Sequence, residues 1–161
     1  MTNAATAEET TGPTGSGADE ARIREILAEE IAALRDRDPE RMLAAYAPDV
    51  VQFILAPPLQ IRGSDPQAVA AWMSGFAGPI VRELRDLRVE VGGDVAFAHG
   101  LTALRATPAG SPRGFELWLR TTVGLRRRDG DWRVAHVHES VPFHMQMQDD
   151  GWFRAATDLQ P

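Results

Sequence analysis

The chain has no cysteine and no lysine. Without thiols there is no disulfide framework, no thiolate metal site and no cysteine nucleophile, and the redox compartment is not encoded. Without an ε-amine, Schiff-base chemistry is excluded. Long apolar runs are also missing. Nothing approaches the roughly 20 residues needed to span a bilayer, and the opening MTNAATAEETTGPTGSGA lacks the basic-then-apolar order of a secretory signal. The expectation is a soluble, cytoplasmic protein with no membrane partner. Positive charge is scarce: 17 basic residues, all arginine, face 23 acidic ones for a net charge of −6. That balance disfavours nucleic acid as a partner. The densest basic run, Arg126 to Arg128, adjoins a DGD turn signal and reads as a solvated hairpin end.

What is present fills one domain. Of the 161 residues, 1–18 have no apolar periodicity and read as a disordered tail; 19–143 read as the domain, and 144–161 as a C-terminal tail, its Trp152 and Phe153 packing on the domain. In DEARIREILAEEIAALRDRD the residues Ile23, Ile26, Leu27, Ile31 and Leu34 follow the spacing of an amphipathic helix. Asp38-Pro39 starts a second, short helix, VVQFIL (50–55) reads as a strand, and Ser64 or Asp65 caps a third helix over PQAVAAWMSGFAG. Four long strand candidates follow, over 80–93, 94–108, 114–130 and 131–143, joined by the turn signals GGD, PAGSPRG and RDGD. Helices followed by consecutive strands predict an α+β domain: a curved antiparallel sheet with N-terminal helices on its concave face, enclosing a pocket.

This order, with DPERMLAAYAPDVV and DGDWRVAHVHESVPF, resembles the nuclear transport factor 2-like (NTF2-like) superfamily, and within it the SnoaL-like, ketosteroid-isomerase-related branch. The resemblance covers residues 20–143. It implies a conical, cystatin-like α+β barrel with one open-mouthed pocket, and a homodimer formed through the sheet's convex side. Members include isomerases, polyketide cyclases, epoxide hydrolases, dehydratases and proteins with no catalytic role, so fold does not give reaction. The position at which ketosteroid isomerases carry their base falls at Ile54 or Leu55, neither of which can take a proton. The tyrosine position of their first helix falls near Glu30. A strict ketosteroid isomerase is not expected.

Candidate site residues follow from faces. Glu30 sits within the apolar stripe of the first helix, pointing into the pocket or, if the helix end is splayed, reaching solvent or an arginine. In the last strand, Trp132, Val134, His136, His138 and Ser140 share one face, and Arg133, Ala135, Val137, Glu139 and Val141 the other. Alternation alone leaves the concave face open; the bulk of Trp132 and the resemblance favour the histidine face, putting His136 and His138 about 7 Å apart on one pocket wall. The preceding strand has the same ambiguity. With Trp118, Arg120 and Thr122 inside, Arg120 is a fork for a developing oxyanion; with them outside, it is an exposed or interfacial residue. The catalytic candidates are therefore Glu30, His136, His138 and Arg120, and the pocket candidates Tyr46, Trp72, Phe76, His99, Trp118, Thr122, Trp132 and Ser140.

HVHESVPFH, with Glu30 or Glu116, holds enough donors for a three-ligand metal site, but H-x-H is a weak signal, and a hydrogen-bonded network without metal is the expectation. His144 lies beyond Pro142, at the rim or in solvent. Two functions stay open: an enzyme that needs no cofactor and transfers protons on a small, largely apolar ligand, or a non-catalytic ligand-binding or dimerisation module of the same fold.

Overall fold

In the computed structural model, residues 16–146 and 151–161 are described. Most of the expected tail, residues 1–15, and part of the C-terminal segment, 147–150, lie outside them. The first helix, α1 (Ser16–Asp36), buries Ile23, Ile26, Leu27, Ala33 and Leu34. A five-residue helix α2 (Pro39–Leu43) starts at Asp38, whose side chain accepts from the Arg41 amide, and Asp65 caps α3 (Pro66–Ser74) in the same way.

The main sheet has six strands: β1 (Tyr46–Phe53), β2 (Ile61–Arg62), β3 (Phe76–Gly92), β4 (Val95–Pro108), β5 (Phe115–Arg128) and β6 (Asp131–Ser140), in the spatial order β2-β1-β6-β5-β4-β3. All neighbours are antiparallel except β1 and β6. Two further strands, β7 (Phe143–His144) and β8 (Arg154–Ala155), pair with each other, and the Ala156 amide donates to the Pro142 carbonyl. The first strand begins at Tyr46 rather than Val50, and β3 takes over at Phe76, where the sequence reads as the end of a helix.

The concave face holds the core. Ile23, Ile26 and Leu27 of α1 pack on Ala96, Ala98, Val123, Leu125, Trp132, Val134 and Val137. A second cluster joins Leu34, Met73, Ile80, Leu104, Ala106 and Leu119. Burial of each large side chain here contributes roughly 1.5–3 kcal/mol.

Two irregularities bend the sheet. Between Arg85 and Arg88, β3 uses three steps where β4 uses two, with Asp86 at φ 53°. This bulge brings the backbone of β3 over Gly100, where a Cβ would lie 2.7 Å from the Arg85 carbonyl oxygen. In β6 the register passes from Gly124↔His136 to Leu125↔Val134, so Ala135 is an extra residue. Period-two alternation stops there.

Candidate active site

The Ala135 bulge decides which side chains of β6 reach the pocket. Before it, Trp132 and Val134 are 1 % and 0 % exposed and belong to the core. After it, Val137 and Glu139 take the inner face and line the pocket with Thr121 and Val123 of β5. His136 and His138 are thereby turned to the outer face. The expectation that they share a wall with Trp132 is corrected: Trp132 does point inward, but its orientation does not carry past the bulge.

The pocket opens between α1 and the curled sheet, and the cavity inside its mouth is small, about 30 Å³. Apolar walls come from Leu27, Ile31, Leu84, Leu87, Val123 and Val137. Five polar groups stand among them: Glu30 of α1, Arg82 of β3, His99 of β4, Glu139 of β6, and the pair Thr102 and Thr121. Each charged member is the lone charge on an otherwise apolar face. Glu30 lies in the stripe of Ile23, Ile26, Leu27 and Leu34; Arg82 lies between Ile80 and Leu84; Glu139 lies between Val137 and Val141.

Their side chains are 13 %, 16 % and 5 % exposed, respectively. Arg82 Nη2 stands 2.9 Å from Glu139 Oε1, and its Nη1 stands 3.9 Å from Glu30 Oε1. The first contact is close but poorly aligned: Glu139 Oε1 and Arg82 Nε both lack a hydrogen-bond partner. Tyr46 Oη donates to Glu30 Oε1 at 3.2 Å. Thr102 and Thr121 share a hydrogen bond of 2.7 Å between their hydroxyls.

These surroundings tune the groups. Burial pushes the Glu30 carboxyl up to about 7; the Arg82 charge opposes the rise, the Glu139 charge adds to it, and the Tyr46 hydrogen bond lowers it. Tyr46 is raised well above its ordinary range by burial and then by the Glu30 charge, which keeps it a neutral donor. For Arg82, burial works against the charge, but Glu139 and Glu30 outweigh it and its pKa rises.

The other candidates are dispersed. Tyr46 reaches the site through Glu30. His99 borders the pocket next to Gly100 while its ring stacks on Phe97, with centroids 5.7 Å apart. His136 holds the Val51 carbonyl through Nδ1 at 2.8 Å, and Phe53 packs edge-on against both His136 and His138. Arg120 and Thr122 are exposed on the outer face, with Ser140 in register beside Arg120. Trp118 also turns outward, under Arg85 and bonded to Glu116. The expected placement of these residues in the pocket is corrected, because Leu117, Leu119, Thr121 and Val123 supply the buried face of β5. Trp132 is a core residue away from the pocket lining, its indole donating to Asp19. Trp72 and Phe76 form an aromatic contact outside the pocket lining. His144 bonds Asp158 at 3.0 Å. The donors considered for a metal do not converge: Glu30 is inside, the histidines are outside, and Glu116 is engaged with Arg105 and Trp118. Among the described residues, no three His, Asp or Glu side chains form a metal-holding group.

Arg82, Glu139 and the two threonines were not singled out from the sequence. The signal that picked Glu30, one charge on an apolar face, is equally present at Arg82 and Glu139.

Helices closing a curled antiparallel sheet over a pocket define the NTF2-like α+β class, which similar solved structures share. Residues 23–144 match the SnoaL-like domain family, and the chain belongs to it. An NTF2-like protein of unknown function from Pseudomonas putida KT2440 is 36% identical over 91% of this chain and 99% of its own, with a TM-score of 0.76. A putative scytalone dehydratase from Novosphingobium aromaticivorans shares the fold at 14% identity, TM-score 0.65, over 76% of this chain and 83% of its own. A hexachlorocyclohexane dehydrochlorinase (LinA) type 2 does so at 15% identity, TM-score 0.66, over 88% and 91%. No curated relative matches the chain. Among the described residues, no helix is long and apolar enough to cross a membrane.

Proposed function

We propose that the protein is an enzyme that moves a proton to or from a small, largely apolar substrate, with Glu30 as the general acid/base. The observation that carries this reading is the Glu30 carboxyl: it is 13 % exposed and lines the pocket, where burial pushes it up to about 7. A base of that pKa divides its population between both protonation states near neutrality, which is where proton transfer is most effective. The contacts from Tyr46 and Arg82 both fall on Oε1, so Oε2 is the oxygen available to a proton in transit. Arg82 stabilises negative charge that develops on the substrate, and Glu139 holds the guanidinium in place. Proton abstraction coupled to loss of a leaving group, the chemistry named for the dehydratase and dehydrochlorinase neighbours, fits this machinery, as do isomerisation and cyclisation. The outer face exposes Phe53, Val95 and Phe97 by 37 %, 55 % and 44 %, which supports self-association there as a homodimer, testable by light scattering.

The test is deuterium exchange at the α-carbon of small ketones in D₂O. The wild-type protein should exceed buffer by about 100-fold or more, and Glu30→Gln should lose that excess. Exchange or turnover undiminished in the variant removes Glu30 from the chemistry. A pocket that binds ligands without turnover leaves the reading of a non-catalytic binding module.

A further inference from the structure

We infer that the pocket selects an uncharged ligand carrying one hydrogen-bond-accepting oxygen, seated against the Thr102–Thr121 hydroxyl pair, and rejects carboxylates. The inference takes its pocket from the proton-transfer reading and adds the class of ligand.

Arginine ordinarily clamps a carboxylate with two parallel N–H groups. That clamp is not free here, because Nη2 lies against Glu139 and Nη1 faces Glu30. Nε is enclosed by protein, so it cannot complete a two-pronged clamp on a ligand either. The charge balance points the same way: two carboxylates and one guanidinium share the pocket, so a bound anion adds negative charge beyond what Arg82 offsets, where water is largely excluded.

The threonines supply the polar contact. Thr102 pairs in register with Leu84, two residues along β3 from Arg82, and Thr121 is diagonal to it on β5. One hydroxyl proton is used between the two oxygens, and the other is available to a ligand oxygen. Both residues are buried, 2 % and 9 % exposed, and Thr121 stands in register beside Glu139. A pair of hydroxyls there orients a carbonyl or hydroxyl oxygen, and the surrounding aliphatic side chains take an apolar body.

Acetophenone, benzoate and ethylbenzene have similar shapes and differ in this oxygen, so they are the probes. Binding to the full chain at pH 8, read from amide shifts in NMR titrations, should favour acetophenone by about tenfold or more over both of the others. Thr102→Val and Thr121→Val, nearly isosteric changes, should each reduce the preference over ethylbenzene by about fivefold. Glu30→Gln should keep that preference but strengthen benzoate binding. Benzoate or ethylbenzene binding as tightly as acetophenone overturns the inference, as does failure of acetophenone to shift the resonances of pocket residues. Exchange of the acetophenone methyl protons in D₂O reports separately on the reaction: preference without exchange supports this selectivity and removes the proposed proton transfer, whereas exchange without preference does the reverse.

Discussion

The concave and outer faces of the sheet place charge in opposite ways. Inside, Glu30, Arg82 and Glu139 are each surrounded by aliphatic side chains, and at most 16 % of any of them is exposed. Outside, Arg105 links Glu83 and Glu116, and Arg85 also reaches Glu83, with side chains between 31 % and 49 % exposed. The outer ladder follows ordinary rules: its hydrogen bonds from arginine hold Glu83 and Glu116 below the usual carboxylate range, and water screens the pairs. The inner trio moves a carboxyl up instead, because loss of water outweighs the one arginine available to two acids. The same residue types thus make a solvated surface on one side and a tuned site on the other, and desolvation is the difference.

The contrast between faces depends on the extra residue in β6, so its removal is the harshest way to break it. Deletion of Ala135 restores strict alternation and forces either Trp132 and Val134 out of the core or Val137 and Glu139 out of the pocket. The expected cost exceeds about 5 kcal/mol, seen as loss of the cooperative unfolding transition. A folded deletion variant of near-normal stability would show that the bulge does not set the inner face.

The next largest effect isolates the inner charges. Arg82→Met leaves Glu139 buried with no countercharge and should destabilise the fold by about 3–5 kcal/mol in urea unfolding at pH 8. A cost below about 1 kcal/mol would mean that the ion pair with Glu139 does not hold the inner face together.

Glu30 sharpens the comparison through pH. Its carboxyl is raised from 4.5 to about 7 on folding, so between those values the folded chain holds a proton that the unfolded chain has released. The contribution of this group to stability is therefore present below about 4.5, falls as pH rises through the window, and is flat above about 7. Glu30→Gln removes the dependence. Relative to wild type, the variant should gain on the order of 2–3 kcal/mol between pH 4.5 and pH 8, measured by urea midpoints. Parallel stability curves for the two proteins would mean that Glu30 is solvated.

The element order was legible because each helix and strand carries its own period and stop signals, down to the Asp38 and Asp65 caps. Glu30 was legible for the same reason: a charge in a helical stripe needs no partner strand to be noticed. The strand residues were harder. Val137, Glu139 and Val141 were recognised as sharing a face, but which face lies inside is a property of the sheet, and Trp132 is a poor witness for residues beyond a bulge. A bulge at Ala135 leaves no mark in the local sequence, since alanine is neither a turn former nor a β-breaker. Arg82 and Glu139 become neighbours only when β3 and β6, at different positions of the same curled sheet, are brought around α1.

The smallest effects belong to the histidines, and they test the comparison most directly because these residues resemble catalytic groups in the sequence. His136→Ala removes the contact with the Val51 carbonyl that ties β6 to β1, and should cost about 1 kcal/mol. His138→Ala removes an exposed ring packed edge-on to Phe53 and should stay within about 0.5 kcal/mol. Neither should alter ketone exchange by more than about twofold, because both rings lie across the sheet from Glu30 and cannot reach a proton in the pocket. Loss of exchange in His138→Ala, with stability unchanged, would put chemistry on the outer face and overturn the division drawn between the two sides.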